Sequence, residues 1–142
     1  MDHLKSAKKI LCAQNLTCVL CGDSGTYTSD RRGAAPLLEW LDSGIDVRGF
    51  SAADRVVGKA TAFLYCLLGI RAVYARVMSK PALQVLTEAG IEASWDTLVE
   101  GIQNRTKTGP CPLEHATRSV TDANEALCAI RSALASLRKA GT

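Results

Sequence analysis

The chain has 142 residues, of which 47% are hydrophobic and 22% charged, a composition typical of one globular domain and unlike that of a disordered or fibrous protein. The 17 basic residues are scattered and the net charge is only +3, so a nucleic-acid partner is not predicted. No run of about 18 apolar residues predicts a membrane span, and the amino terminus lacks the apolar region of a secretory signal. We therefore expect a single cytoplasmic domain over residues 1–142 that has no membrane partner.

The first part of the chain predicts a helix, a hairpin and a second helix. A helix over 4–14 would have its apolar residues on one face and its lysines in solvent. The run 16–21 does not alternate between apolar and polar residues, which is typical of a strand covered on both faces. A turn-rich segment leads from it to a second strand at 26–28. A short helix over 36–41 follows, with a proline in its opening turn.

A long apolar helix is predicted over 54–68, because Ser51 and Asp54 have the spacing of a capping box. Lys59 would then lie within this helix, where its ammonium group must extend to water or find a partner. Gly58 costs about 1 kcal/mol in a helix interior and needs a reason to be there, such as the close approach of a ligand. We interpret Gly58 and Lys59 as ligand-binding, and a lysine at the rim of the helix is the alternative.

Beyond this helix, the pattern predicts a strand over 72–78, a helix over 80–89 and a short strand over 91–94. The connection between the two strands suits parallel neighbours rather than a hairpin. A helical turn is predicted over 97–102 and a last helix over about 122–139. These elements predict an α/β fold, a three-layer sandwich in which a mixed sheet has helices on both faces.

The six cysteines are expected to be reduced thiols, since no export signal accompanies them. Cys18 and Cys21 have the C-x-x-C spacing of a zinc or redox motif, but on a strand their sulfur atoms would point to opposite faces. We therefore predict no metal site and no cofactor for this chain.

The segment around Cys111 is the candidate for catalysis. Pro112 suits the first position of a helix, which makes Cys111 the N-cap and Glu114 the third residue. A helix N-terminus stabilises a thiolate, and His115 lies four residues beyond the cysteine. A nucleophilic Cys111 assisted by Glu114 or His115 is one interpretation, and a proline-bracketed turn with a buried thiol is the other.

Three segments carry a family resemblance that covers nearly the whole chain: Val56-Val57-Gly58-Lys59-Ala60, then Val73-Tyr74-Ala75 running to Ser79-Lys80-Pro81-Ala82, and Asn104-Arg105-Thr106 followed by Gly109-Pro110-Cys111-Pro112-Leu113-Glu114. On these residues the chain resembles a small bacterial family of unknown function whose fold is similar to that of cytidine deaminases. The resemblance implies the deaminase architecture for the whole domain.

Zinc deaminases carry H-x-E at one helix start and P-C-x-x-C at the next, where the metal is held. The corresponding positions of this chain fall near Gly58-Lys59-Ala60 and Ser79-Lys80-Pro81-Ala82-Leu83, and neither motif is present. The resemblance therefore implies the architecture without the zinc chemistry.

Three functions are compatible with these patterns. The first is a metal-free, deaminase-like domain that binds a small anionic or nucleotide-like ligand at predicted helix starts and a polar loop, with the candidate residues Asp54, Gly58, Lys59, Ser79, Asn104, Arg105 and Thr106. The second is a cysteine-dependent enzyme that uses Cys111. The third is a structural or partner-binding module whose cleft is filled by its own side chains. The sequence leaves a homo-oligomer open.

Overall fold

In the computed structural model, which describes residues 2–102 and 111–140, five strands form one mixed sheet with helices on both faces. The strands are β1 (Cys18–Gly22), β2 (Gly25–Ser29), β3 (Ser51–Val57), β4 (Ala72–Ser79) and β5 (Glu92–Val99). The helices are α1 (His3–Ala13), α2 (Ala35–Ser43), α3 (Lys59–Leu68), α4 (Lys80–Glu88), α5 (Pro112–Ala116) and α6 (Ala123–Ala140). The predicted α/β fold with a mixed sheet is confirmed.

The strands lie in the order β2-β1-β3-β4-β5. β1 pairs antiparallel with both β2 and β3, whereas β3, β4 and β5 run parallel to one another. Cys18 of β1 lies opposite Asp54 of β3, which lies opposite Ala75 of β4. The carboxyl ends of β3 and β4 therefore meet at one edge of the sheet, and α3 and α4 both begin there.

Two hydrophobic layers hold the helices to the sheet. The larger layer lies on the face of α3 and includes the fully buried Leu64 and Tyr65. On the opposite face, Ala7 and Leu11 of α1 are fully buried against Val19. Burial of one leucine stabilises a fold by about 1.5–3 kcal/mol, so these layers supply the main driving force. None of the helices in the described ranges is long and apolar enough to span a membrane.

The predicted helix over 54–68 is wrong in its first part. Ser51 and Asp54 do not form a capping box, because both lie in strand β3, and the helix begins only at Lys59. Gly58 is the N-cap, with extended backbone (φ −99°, ψ −179°), and does not lie in a helix interior. Residues 51–54 are buried between two neighbouring strands. A strand that is buried on both faces does not alternate between apolar and polar residues, so periodicity alone cannot distinguish it from a buried helix.

The helical turn predicted over 97–102 is also wrong, because β5 continues to Val99. Thr97 and Val99 pair with Val77 and Ser79 of the parallel neighbour β4, so the strand is twice as long as the predicted 91–94. β-Branched residues of this kind favour strands over helices. The remaining predicted helices and strands agree with the structure to within two or three residues at their ends.

Candidate functional site

A cavity of about 350 Å³ lies at the edge of the sheet where β3 ends and α3 begins. Its walls come from the start of β1, the segment before α2, the first turn of α3 and the start of α5. The apolar part of the wall includes Ala34, Val56, Ala60, Ile102 and Leu113. The polar part includes Cys18, Arg32, Asp54, Thr61, Cys111 and Glu114. A mostly apolar wall with a few convergent polar groups is typical of a small-molecule site.

A buried chain of polar side chains adjoins this cavity. The Tyr65 hydroxyl donates a hydrogen bond of 2.7 Å to Oδ2 of Asp54 and lies 3.1 Å from Sγ of Cys18. Because the only hydrogen of the hydroxyl goes to Asp54, the Cys18 thiol is the donor to Tyr65. Asp54 is only 8% exposed, and Tyr65 is fully buried. Of these three residues, Cys18 and Asp54 line the cavity.

Burial raises the pKa of Asp54 to about 6, and the hydrogen bonds from Tyr65 and from the backbone of Val56 only partly offset this effect. Burial likewise raises the pKa values of Cys18 and Tyr65. The neighbouring Arg55 does not compensate the charge, because its guanidinium donates instead to the Leu16 carbonyl and the Asn15 side chain. A perturbed carboxyl group in a cavity is typical of a functional site.

Glu114 joins α5 to the first turn of α3. Its Oε1 accepts a hydrogen bond of 2.6 Å from the backbone N–H of Lys59, while Nζ of Lys59 donates to the Arg118 carbonyl at 2.8 Å. A Cβ atom at Gly58 would overlap Oε1 of Glu114, so the close approach requires glycine there. Burial raises the pKa of Glu114, and the backbone N–H and charge of Lys59 oppose this shift.

The structure brings four of the predicted site residues together around the cavity: Asp54, Gly58, Cys111 and Glu114. Cys111 is the N-cap of α5 and Pro112 its first residue, as predicted. The Cys111 thiol is half-buried and forms no capping hydrogen bond with the helix.

The other predicted residues lie elsewhere. His115 is exposed and lines a separate groove that it shares with Lys59. Ser79 is fully buried, and its hydroxyl caps α4 by accepting a hydrogen bond of 3.1 Å from the N–H of Ala82. The ligand roles predicted for Asn104, Arg105 and Thr106 fall outside the described residues.

Four residues of the site were not predicted from the sequence: Tyr65, Cys18, Arg32 and Thr61. One signal was available for Tyr65, since a tyrosine within an apolar helix needs a partner for its hydroxyl group. The identity of that partner depends on the pairing of β1 with β3, which no local pattern predicts.

Within residues 2–102 and 111–140, no three His, Cys, Asp or Glu side chains are grouped closely enough to hold a metal ion. Cys18 packs in the layer that contains α3, whereas Cys21 packs beneath α1. The two sulfur atoms therefore lie on opposite faces of the sheet, which confirms the prediction from their spacing. α3 begins at Gly58-Lys59 and α4 at Ser79-Lys80.

Fold and site define an α/β domain with a cavity at the carboxyl end of the parallel strand β3, a common place for ligands in such sheets. The chain belongs to the DUF1893 family, because the family model described as "TM1506: Domain of unknown function (DUF1893)" matches residues 6–134. This match confirms the predicted resemblance to a family of unknown function. No curated protein matches the chain in sequence.

A crystal structure of a DUF1893 family protein (TM1506) from Thermotoga maritima is similar to this chain, with 27% identity and a TM-score of 0.84 over 92% of this chain and 89% of that chain. The apo dCMP deaminase of cyanophage S-TIM5 has 14% identity and a TM-score of 0.45 over 66% and 93% of the two chains. A diaminohydroxyphosphoribosylaminopyrimidine deaminase/5-amino-6-(5-phosphoribosylamino)uracil reductase from Thermotoga maritima has 13% identity and a TM-score of 0.46 over 66% and 35%. Both deaminase structures are therefore much less similar to this chain than the DUF1893 family protein is.

Replacement of Gly58 by alanine is expected to lower the free energy of unfolding by about 2 kcal/mol, because the new methyl group overlaps the Glu114 carboxylate. Gly101→Ala is the matched control, since no atom of residues 2–102 and 111–140 lies within 4 Å of a Cβ at that position. Urea unfolding measures both changes. When Glu114 is also replaced by alanine, Gly58→Ala should lower the free energy of unfolding by less than it does in the unmodified protein. If Gly58→Ala has the same effect in both proteins, the two side chains do not clash.

The buried carboxyl of Asp54 should make stability depend on pH. Its pKa is about 6 in the folded protein and about 3.9 in an unfolded chain, so the folded state binds the proton more tightly. The contribution of Asp54 to stability should therefore fall as the pH rises from about 4 to about 6, by on the order of 2–3 kcal/mol. Asp54→Asn does not titrate, so urea unfolding of both proteins at several pH values isolates this effect. If the difference in free energy of unfolding between the two proteins stays constant from pH 4 to 7, the pKa of Asp54 is not raised.

Proposed function

We propose that this domain binds a small nucleotide-like ligand, with a flat ring and an anionic group, in the cavity between β3, α3 and α5. The observation that carries the proposal is the cavity itself. Its volume of about 350 Å³ falls within the range of ligand sites, and its wall combines aliphatic side chains with a few polar groups.

The chemistry of the wall supports this class of ligand. Ala60 and Leu113 belong to an aliphatic surface that suits an apolar ring, and the Thr61 hydroxyl offers both a donor and an acceptor. Arg32 lines the same cavity and is exposed, so an anionic group near the mouth of the cavity would meet a guanidinium.

The helix starts are less suited to the anion than the sequence suggested. The N–H of Lys59 donates to Glu114, its ammonium group donates to the Arg118 carbonyl, and Lys59 is not part of the cavity wall. The Ser79 hydroxyl is taken by the cap of α4. We therefore assign the anionic group of the ligand to the neighbourhood of Arg32.

Nucleoside 5′-monophosphates test the proposal. Addition of AMP, CMP, GMP or UMP should raise the melting temperature for at least one of the four, because a ligand that binds only the folded state stabilises it. Val56→Trp should abolish the shift, since Val56 is 44% exposed and lines the cavity, so that an indole there fills the space. Leu137→Trp is the matched control, because Leu137 is 45% exposed on α6 and is not part of the cavity wall.

A second comparison tests the place of the anion. Arg32→Ala should weaken a bound monophosphate by about tenfold and leave the parent nucleoside unchanged, since only the monophosphate offers an anion to the guanidinium. Calorimetric titration of both compounds measures the difference. No melting shift with any monophosphate, or a shift that survives Val56→Trp, would contradict the proposal.

A second candidate function is cysteine-dependent catalysis, which is favoured by the position of Cys111. Its thiol lines the same cavity as the Glu114 carboxyl, whose pKa burial raises toward the range of a general acid or base. His115 lines a different groove, so the assisting group in this alternative is Glu114.

Cysteine catalysis predicts that iodoacetamide alkylates Cys111 at least about tenfold faster than an ordinary exposed thiol at neutral pH. Cys12 and Cys128 are both exposed and serve as internal references in the same sample. Mass spectrometry of the peptides gives the three rates. Alkylation of Cys111 in the folded protein that is no faster than in the denatured chain would exclude this alternative and leave binding as the function.

A further inference from the structure

We infer that Asp54 determines which ligand enters the cavity: it selects a ring edge that carries N–H hydrogen-bond donors, and this edge enters first while the anionic group stays at the mouth near Arg32. The inference rests on the proposed function, because it names the part of the ligand that the buried wall of the same cavity would recognise. The geometry of Asp54, its partners and the surrounding charges each support it.

The Asp54 carboxylate keeps unused acceptor capacity. A carboxylate has about four sites for donors on its two oxygen atoms. Oδ2 accepts from the Tyr65 hydroxyl, and the N–H of Val56 lies 3.4 Å from Oδ1, at the long limit of a hydrogen bond. Asp54 is only 8% exposed and still lines the cavity. The Arg55 N–H and the Cys18 thiol also lie within reach of the carboxylate, but they donate to the Thr17 carbonyl and to Tyr65, so acceptor capacity remains for a group that enters the cavity.

The titratable and charged groups around Asp54 bring it donors but no cation. Tyr65 of α3 donates its hydroxyl hydrogen to Asp54, Cys18 of β1 donates to Tyr65 in turn, and Arg55 of β3 is held by Leu16 and Asn15. Across the cavity lie Cys111, Glu114 and Arg32, and none of the ion pairs of the described residues involves Asp54. A buried carboxylate is costly until donors surround it, so N–H groups of a ligand supply what the protein lacks.

Tyr65 and Cys18 are positioning residues for this carboxylate. The hydroxyl of Tyr65 is fixed by the hydrogen bond that it accepts from the Cys18 thiol and by the one that it donates to Asp54. A carboxylate held in one orientation recognises a donor pattern better than a mobile one. The same charge repels an anion, which is why we place the anionic group of the ligand beside the exposed Arg32 and not beside Asp54.

Three nucleosides that differ only at one ring edge test the inference: adenosine, inosine and purine riboside. Adenosine carries an exocyclic amino group and inosine a ring N–H, whereas purine riboside has no donor at this edge. Calorimetric titration at pH 7 should show adenosine and inosine binding about tenfold tighter than purine riboside, since a buried acceptor left without a donor is penalised. In the Asp54→Asn variant, the preference for adenosine and inosine over purine riboside should fall to about threefold or less. Tyr65→Phe keeps the aromatic ring of residue 65 but removes its hydroxyl, so it should reduce the same preference.

A pH profile of the unmodified protein provides a test that needs no variant. None of the three nucleosides changes its charge between pH 5 and pH 7, whereas Asp54, with a pKa of about 6, loses most of its negative charge over the same range on acidification. Adenosine binding should therefore weaken by about tenfold from pH 7 to pH 5. The profile should be flat in Asp54→Asn.

The outcomes separate this inference from the proposed function. If nucleosides or their monophosphates bind, and Val56→Trp abolishes binding, but purine riboside binds as tightly as adenosine and the pH profile is flat, the inference is overturned and the proposed function stands. If none of these compounds binds at all, the proposed function is wrong and this inference fails with it.

Discussion

The hydrogen bond from the N–H of Lys59 to Oε1 of Glu114 is the contact on which the cavity depends. The first N–H groups of α3 have no partner within the helix, and a carboxylate at this end also interacts favourably with the helix dipole. α5 has only five residues and no fully buried side chain, so it cannot be stable as an isolated helix. It is held by this bond, by the hydrogen bond from the N–H of Cys111 to the Ile102 carbonyl and by the packing of Leu113 against the larger hydrophobic layer. The wall that Leu113 and Cys111 contribute to the cavity therefore depends on a contact that only glycine at position 58 allows.

This contact also changes where charge is located in the site. An uncapped helix start attracts anions, but the chain places its own carboxylate at α3 and its own hydroxyl at the start of α4. Glu114 and Asp54 then make the inner wall acidic, while Arg32 is exposed. A ligand that fits such a cavity must itself be polarised, with donors at one end and negative charge at the other. This reasoning joins the proposed nucleotide-like ligand to the proposed role of Asp54.

Much of the fold could be predicted from the sequence, because most helices and strands have clear local patterns. The amphipathic α1, the hairpin of β1 and β2, β4, and the proline start of α5 all follow from nearby residues. β3 could not be assigned in this way, since burial between two strands removes the alternation that distinguishes a strand from a buried helix. The error placed Gly58 in a helix interior and suggested a ligand contact, whereas the structure places it at a helix start and explains it by a side-chain contact.

The site was harder to predict, since its parts are distant in the chain. Residues 18, 54 and 65 meet only because β1 pairs with β3 and α3 folds back over the sheet. Cys111 and Glu114 were predicted as a local motif, but their association with Asp54 requires α5 to reach the end of β3.

Three residues that depart from the usual sequence preferences of strands and helices line the same cavity. Asp54 is a carboxyl group buried without a cation, Gly58 begins a helix where a side chain cannot fit, and Cys111 is an N-cap without a capping hydrogen bond. Asp54 and Cys111 are less favourable for folding than other residues would be, since an asparagine at position 54 would avoid the burial of charge and a capping side chain at position 111 would stabilise α5. Gly58 fits its place but restricts which residue can stand there. A sequence usually agrees with its fold at every level except where function requires otherwise. Because all three residues line the same cavity, these departures agree with the binding function proposed for it.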